Sequence, residues 1–132
     1  MRKGTLLVSA IGDSSTITGL LLTGMGERNA KGVSNFMIVE RETTDEMIEK
    51  TFRGFLARND MGIVLISQGV AERVRHVIVE HESTIPTILE IPGDDSPYDP
   101  EKDTIVSRAA AILWGGDVGV ERLRQMSAAL KK

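Results

Sequence analysis

The sequence predicts an α/β fold built on a four-stranded parallel sheet, and two observations predict it. Short apolar runs alternate along the chain with longer amphipathic segments, which is the pattern of consecutive βα units. The apolar runs are nearly continuous rather than alternating with polar residues, as expected for strands covered by helices on both faces. We therefore expect a Rossmann-like or receiver-like topology, followed by a protruding C-terminal helical tail.

The strands are predicted from four short apolar runs at residues 5–11, 35–39, 61–66 and 87–91. The first run ends at Gly12, and Pro86 and Pro92 bound the last one. Proline lacks the backbone N–H that a sheet interior requires, so each of these prolines predicts a strand end.

The segments between the strands are predicted to be helical, at about 16–25, 44–56 and 68–80. Asp13, Ser14 or Ser15 can cap the first helix, because a side-chain oxygen there accepts hydrogen bonds from free backbone N–H groups. Apolar residues recur at helical spacing in the other two helices and predict their buried faces. These residues are Ile48, Phe52, Phe55 and Leu56, and then Val70, Val74, Val77 and Ile78.

The chain divides into an α/β domain (1–92), a hinge rich in Pro, Gly and Asp (93–103) and a C-terminal helical segment (104–132). Two apolar stripes mark the last segment. Each stripe could close the open face of the sheet or dock on another chain, and we expect docking. The candidate docking residues are Ile105, Ala109, Ile112, Leu113, Val120, Leu123, Met126 and Leu130.

Composition narrows the classes of function. The chain has 132 residues, enough for one domain with its own core. A net charge of −3 argues against a general nucleic-acid binder, and the absence of cysteine excludes a disulfide scaffold. No stretch reaches the roughly 20 apolar residues that span a bilayer, so no direct membrane insertion is expected.

The residues that common active sites require do not occur in the right places. A phosphate-binding P-loop needs lysine after its second glycine, but Met25 follows Gly24. A receiver domain needs a phosphorylatable aspartate at the end of the third strand, where Ser67 and Gln68 stand. We therefore predict no catalytic residue and no cofactor.

The histidines and the hydroxyl-bearing residues are predicted to be structural. His76 and His81 are five residues apart, which places them on different sides of a helix, so no metal site is predicted. Ser14, Thr16 and Ser67 converge beyond the carboxyl ends of the strands, where α/β sheets bind ligands. The alternative function is thus a free-standing α/β domain that binds a small ligand or nucleotide at this edge.

Several short motifs along the chain occur together in one known family. The opening carries Ile11-Gly12-Asp13, Thr16-Ile17-Thr18-Gly19, Leu21-Leu22 and Gly24-Met25-Gly26-Glu27. Further matches are Asn35-Phe36, Val39-Glu40, Thr51-Phe52-Arg53, Phe55-Leu56, Gly62-Ile63, Val74-Arg75-His76, Ile85-Pro86, Leu89-Glu90-Ile91-Pro92, Pro97-Tyr98-Asp99 and Lys102-Asp103. With these motifs the chain resembles the family of vacuolar-type (V-type) proton ATPase F subunits, in a form similar to the eukaryotic one. The resemblance covers residues 5 to 114, and residues 115–132 run past the expected end of the family.

The resemblance implies a non-catalytic subunit of the central stalk, in the V1 sector of a proton-transporting rotary ATPase. Its implied partners are the coiled coil of the D subunit, the catalytic A/B hexamer and the d subunit of the membrane sector. The implied location is cytoplasmic, peripheral on the cytosolic face of acidified organelle membranes. The C-terminal helix would pack along the D subunit and help to couple ATP hydrolysis to proton transport.

Overall fold

A computed structural model describes residues 6–24, 34–94 and 97–130 of the chain. The strands are β1 (Leu7–Gly12), β2 (Phe36–Ile38), β3 (Met61–Ser67) and β4 (Thr87–Ile91). They form one parallel sheet in the order β2-β1-β3-β4. The predicted α/β fold with a four-stranded parallel sheet is confirmed. The predicted strand start at Thr5 and helix end at Met25 lie outside the described residues.

Six helices are described. They are α1 (Ser14–Leu22), α2 (Asp45–Ala57), α3 (Gln68–Arg73), α4 (Arg75–Glu80), α5 (Thr104–Trp114) and α6 (Gly116–Leu130). A short 3-10 turn at Pro100–Lys102 precedes α5. None of these helices is both long enough and apolar enough to cross a membrane.

The hydrophobic core lies between the sheet and the helices α2 to α4. From α2 it receives Ile48, Phe52 and Phe55, which the helical spacing had predicted to point inward. From β1 and β3 it receives buried aliphatic side chains such as Ile11 and Val64. Each fully buried side chain of this kind stabilises the fold by about 1.5–3 kcal/mol. This core therefore dominates the stability of residues 6–91.

The helix predicted over 68–80 is interrupted, which corrects the sequence interpretation. Val74 leaves the helical conformation, with φ −126° and ψ 31°, and separates α3 from α4. Its side chain is fully buried in the core, as are the side chains of Val77 and Ile78 in α4. All three side chains therefore belong to the core although the helix is interrupted.

The C-terminal segment forms a helical hairpin of α5 and α6. Gly115 joins the two helices and has φ +84°, a conformation that glycine adopts without strain. Gly119 in α6 lies against the backbone of Ala110 in α5, and Ser127 reaches Asp99 before α5. The second helix thus runs back along the first.

Candidate partner-docking surface

The start of α5 is fixed to the α/β domain. The Asp103 carboxylate caps the helix by accepting hydrogen bonds from the N–H groups of Ile105 and Val106. The side chain of Ile105 packs against the main core. Arg108 donates hydrogen bonds to the carbonyl oxygens of Val79 and His81 at the end of α4. The first turn of α5 therefore has a defined direction relative to the sheet.

One side of α6 packs against α5. Gly119, Leu123 and Ser127 are buried at four-residue intervals, which places them along one face of the helix. A Cβ atom at Gly119 would lie 2.8 Å from the carbonyl oxygen of Ala110, so only glycine permits this close approach. Of the apolar stripe predicted in this helix, Leu123 lies on this buried face and is 4% exposed.

The other side of α5 is open. Ile112 and Leu113 are 83% and 71% exposed, and Ala109 one turn earlier is also exposed. Ala109 and Leu113 are four residues apart and Ile112 lies between them, so the three share one side of the helix. We call Ala109, Ile112 and Leu113 the open face of α5. It carries no polar side chain.

The eight predicted docking residues therefore have different environments. Ala109, Ile112 and Leu113 form the open face, while Ile105 packs on the core and Leu123 packs within the hairpin. The side chain of Leu130 lies outside the described part of the structure. Val120 and Met126 are half exposed. Their contact with a partner stays a prediction.

A buried ion pair joins the sheet edge to α4 beside this hairpin. The side chain of Glu90 on β4 is 1% exposed, and Arg75 donates hydrogen bonds to both of its oxygens, at 2.6 and 3.1 Å. Burial raises the pKa of Glu90 above its ordinary value, and the hydrogen bond from Arg75 opposes that change. Such a pair costs desolvation energy but is strongly destabilising to break, because one buried charge would remain alone.

A chain of hydrogen bonds continues from this pair to α6. The Gln68 amide donates to Glu90 at 3.1 Å and to the Asp99 carbonyl oxygen at 2.7 Å. The Asp99 N–H donates back to the Gln68 oxygen at 2.6 Å. The Ser127 hydroxyl then donates to the Asp99 carboxylate at 2.7 Å. Sequence reasoning missed this network because its members are up to 59 positions apart.

Tyr98 also stabilises the junction before α5. Its hydroxyl donates to the Asp103 carboxylate at 2.6 Å. Burial raises the pKa of Tyr98 above its ordinary value, and the hydrogen bond to Asp103 raises it further. Within 97–103, the predicted hinge is therefore tied by side chains to α3, α5 and α6. Whether it acts as a hinge stays a prediction.

A concave region lies at the carboxyl ends of β1 and β3, where the alternative function would place a ligand. A cavity of about 750 Å³ there is lined by Asp13, Val39, Glu40, Arg41, Ser67, Gly69, Val70, Arg73 and Asp94. Arg73 already binds Asp45 and the carbonyl oxygen of Thr43. The lining thus contains both acidic and basic side chains, and Arg73 is already engaged by other groups of this chain.

Asp13 at this edge caps helix α1 and is one of the three residues predicted as candidates for that role. Its carboxylate accepts hydrogen bonds from the Thr16 N–H at 3.0 Å, the Ser15 hydroxyl at 2.8 Å and the Asp94 N–H at 3.2 Å. Partial burial would raise the pKa of Asp13, but these hydrogen bonds outweigh burial and lower the pKa to about 2. Asp13 is therefore an ionised structural group and a poor general base.

The two histidines have separate partners. The Nε2 atom of His76 lies 2.5 Å from a Glu49 oxygen, and Nε2 of His81 lies 2.7 Å from the Pro86 carbonyl oxygen. Among residues 6–24, 34–94 and 97–130, no three His, Asp or Glu side chains are arranged to hold a metal ion. Both Nε2 atoms thus already have partners within the protein.

Comparison with known proteins connects this architecture to a family. The sequence profile of the family described as "ATP synthase (F/14-kDa) subunit" matches residues 8–108. The chain belongs to this family. The match includes almost the whole sheet and the start of α5, whereas α6 at 116–130 lies beyond it. The resemblance that the sequence motifs predicted is confirmed.

Individual relatives support the same assignment. The chain is 48% identical over 112 residues to the V-type proton ATPase F subunit of Homo sapiens, covering 85% of this chain and 94% of that protein. Identity to the F subunit of Xenopus laevis is 54% over 108 residues, covering 82% and 98%. For Dictyostelium discoideum it is 46% over 102 residues, covering 77% and 85%. Likeness to these F subunits therefore extends over most of the chain.

Proposed function

We propose that the chain is a non-catalytic central-stalk subunit of a V-type proton ATPase and that it binds the D subunit through the open face of α5. The family membership supports the first part. The observation that carries the second is the exposure of Ile112 and Leu113, two large apolar residues in succession on a helix whose start is fixed to the sheet.

The geometry of the open face suits a helical partner. Apolar side chains at spacings of three and four residues form a ridge that packs into the groove of a neighbouring helix. Ala109 provides a small position within this ridge, which permits close approach of a second backbone.

In this role the chain performs no chemistry on nucleotide. It rotates with the D subunit while ATP is hydrolysed in the catalytic A/B hexamer, and it transmits torque toward the membrane sector and its d subunit. The corresponding location is the cytosolic face of acidified organelle membranes, where the chain would be a peripheral component. Its contribution is mechanical, through the stiffness of the sheet and of the attached hairpin.

The test replaces both large residues of the open face in one variant, Ile112→Glu with Leu113→Glu. Each buried aliphatic side chain contributes about 1.5–3 kcal/mol, and tenfold in affinity corresponds to about 1.4 kcal/mol. We therefore expect affinity for the purified D subunit, measured by biolayer interferometry, to fall by at least about a hundredfold.

The matched control is Val118→Glu, since Val118 is 53% exposed on the neighbouring helix but outside the open face. It should bind the D subunit with nearly unchanged affinity. Equal affinities for the double variant and the unmodified chain would contradict the proposed docking face. An equal loss in the control would show that any added charge weakens binding and would contradict it as well.

A further inference from the structure

Helix α5, the proposed docking helix, is too short to be stable in isolation. It has 11 residues, fewer than the roughly 12–15 that an isolated helix needs to be stable in water. Eight of the 11 are apolar, and they lie on nearly all sides of the helix (Ile105, Val106, Ala109, Ala110, Ala111, Ile112, Leu113 and Trp114). A helix that is apolar all round requires cover on more than one side.

α6 supplies cover on one side, through contacts along its whole length. Gly119 permits close backbone contact with Ala110, which is 3% exposed. Arg122 lies over the ring of Trp114, 5.0 Å from its centre, at the far end of α5. Ser127 is bonded to the buried Asp99 at the near end. The middle and the far end of α5, and the segment just before it, are thus each contacted by a residue of α6.

The side of α5 that α6 covers leaves the open face accessible. Two residues along a helix correspond to a rotation of about 200°, so Ile112 lies nearly opposite Ala110. The high exposure of Ile112 and Leu113, with α6 in place, shows that α6 does not obstruct them. A partner helix on the open face and α6 on the other side can therefore contact α5 at the same time.

We propose that α6 is an intramolecular brace that holds α5 in its docking-competent helical form and stays in place when the partner binds. A helix that is already ordered loses less conformational entropy on binding, so the brace increases affinity. If α6 instead covered the partner's binding site and had to move away before binding, every change that opens the hairpin would increase affinity for the partner. This inference rests on the proposed function for its partner.

The experiment uses the full chain with Gly119→Val, which places a side chain where the Ala110 backbone leaves no room. The control is Gly116→Val on the same helix, where an added Cβ meets nothing within 4 Å. For Gly119→Val we expect amide hydrogen exchange of residues 109–113 to accelerate at least about tenfold and affinity for the D subunit to fall about tenfold. Gly116→Val should change neither by more than about twofold.

Ser127→Ala is a milder second variant in case Gly119→Val fails to fold. It removes the hydrogen bond to Asp99 and leaves the apolar packing, so we expect affinity to fall about threefold and exchange to accelerate in the same segment. Unchanged or increased affinity with accelerated exchange would overturn the brace. Unchanged exchange in both variants would overturn it too.

The two readouts separate this inference from the proposed function. Failure of the unmodified chain to bind the D subunit would contradict the proposed function, while the exchange rates would still test the brace. Normal binding by the unmodified chain together with tighter binding by Gly119→Val would retain the proposed function and reject the brace.

Discussion

The α/β domain and the C-terminal hairpin are stabilised in different ways. The domain buries a continuous apolar core that includes Phe52, Ile11 and Val64. The hairpin buries Ala110 and Leu123, and it is otherwise held by a close glycine contact, by the hydrogen bond from Ser127 to Asp99 and by those from Arg108 to the end of α4. An extensive core and a sparse one therefore occur in the same chain.

The difference also appears at the surface. Of the twelve large apolar side chains that are exposed in the described residues, six lie between residues 112 and 126. Single exposed apolar residues are ordinary, but a concentration in one short segment indicates an interaction surface. The region with the smaller core thus has the higher density of exposed apolar residues, which is what a docking element requires.

The sharpest test of this comparison removes one core residue from each region. Phe52→Ala should lower the free energy of unfolding by about 3–5 kcal/mol, and Leu123→Ala by about 2 kcal/mol. Trp114 is the single tryptophan and lies at the end of α5, so its fluorescence reports the hairpin, while circular dichroism reports all helices. In urea, Phe52→Ala should shift both signals together and Leu123→Ala should shift the fluorescence more. Coincident shifts for Leu123→Ala would contradict a separate, weaker hairpin.

A second test breaks the ion pair of the α/β domain from which a chain of hydrogen bonds runs to the hairpin. Arg75→Ala leaves the buried Glu90 carboxylate without its cation, and we expect a loss of about 3 kcal/mol in urea unfolding at pH 7. Adding Glu90→Gln should recover part of that loss, since the remaining group is neutral. Arg53→Ala, whose ion pairs are exposed, serves as control and should have little effect. An Arg75→Ala variant as stable as this control would show that the pair is dispensable.

The smallest effect concerns the cap of α1 in the α/β domain. Asp13→Ala should cost about 1 kcal/mol at pH 7, whereas Asp13→Asn keeps a capping oxygen. The pKa of Asp13 is lowered from 3.8 to about 2, so the stabilisation by its ionised form is present above pH 3.8 and is lost as the pH falls toward 2. Within that window the stability of Asp13→Asn should depend less steeply on pH, as measured by thermal unfolding. Parallel curves for Asp13→Asn and the unmodified chain would refute the role of this carboxylate.

Much of the fold could be predicted because its signals are local. Continuous apolar runs identified all four strands, and the spacing of Ile48, Phe52 and Phe55 identified the buried face of α2. The break at Val74 could not be predicted, because the apolar residues around it also have the spacing of an unbroken helix.

The candidate surface was predictable only in part. An apolar stripe containing Leu123 predicts a buried face, but the same stripe can pack on another chain or on α5, and only the fold selects α5. A local signal did exist in the small residues Gly119 and Ser127, whose spacing from Leu123 marks close helix contact. The role of Gln68, in contrast, depends on residues 22 and 31 positions away.

The side chain of Gln68 pairs with the backbone of Asp99 in both directions, as a neighbouring strand would. A single hydrogen bond would let the backbone around Asp99 rotate about it. Two antiparallel bonds from one planar group remove that freedom, so the backbone at Asp99 is fixed in direction relative to the start of α3. Glutamate in its place would present two acceptors to the Asp99 carbonyl oxygen and lose this coupling, although its shape is nearly the same.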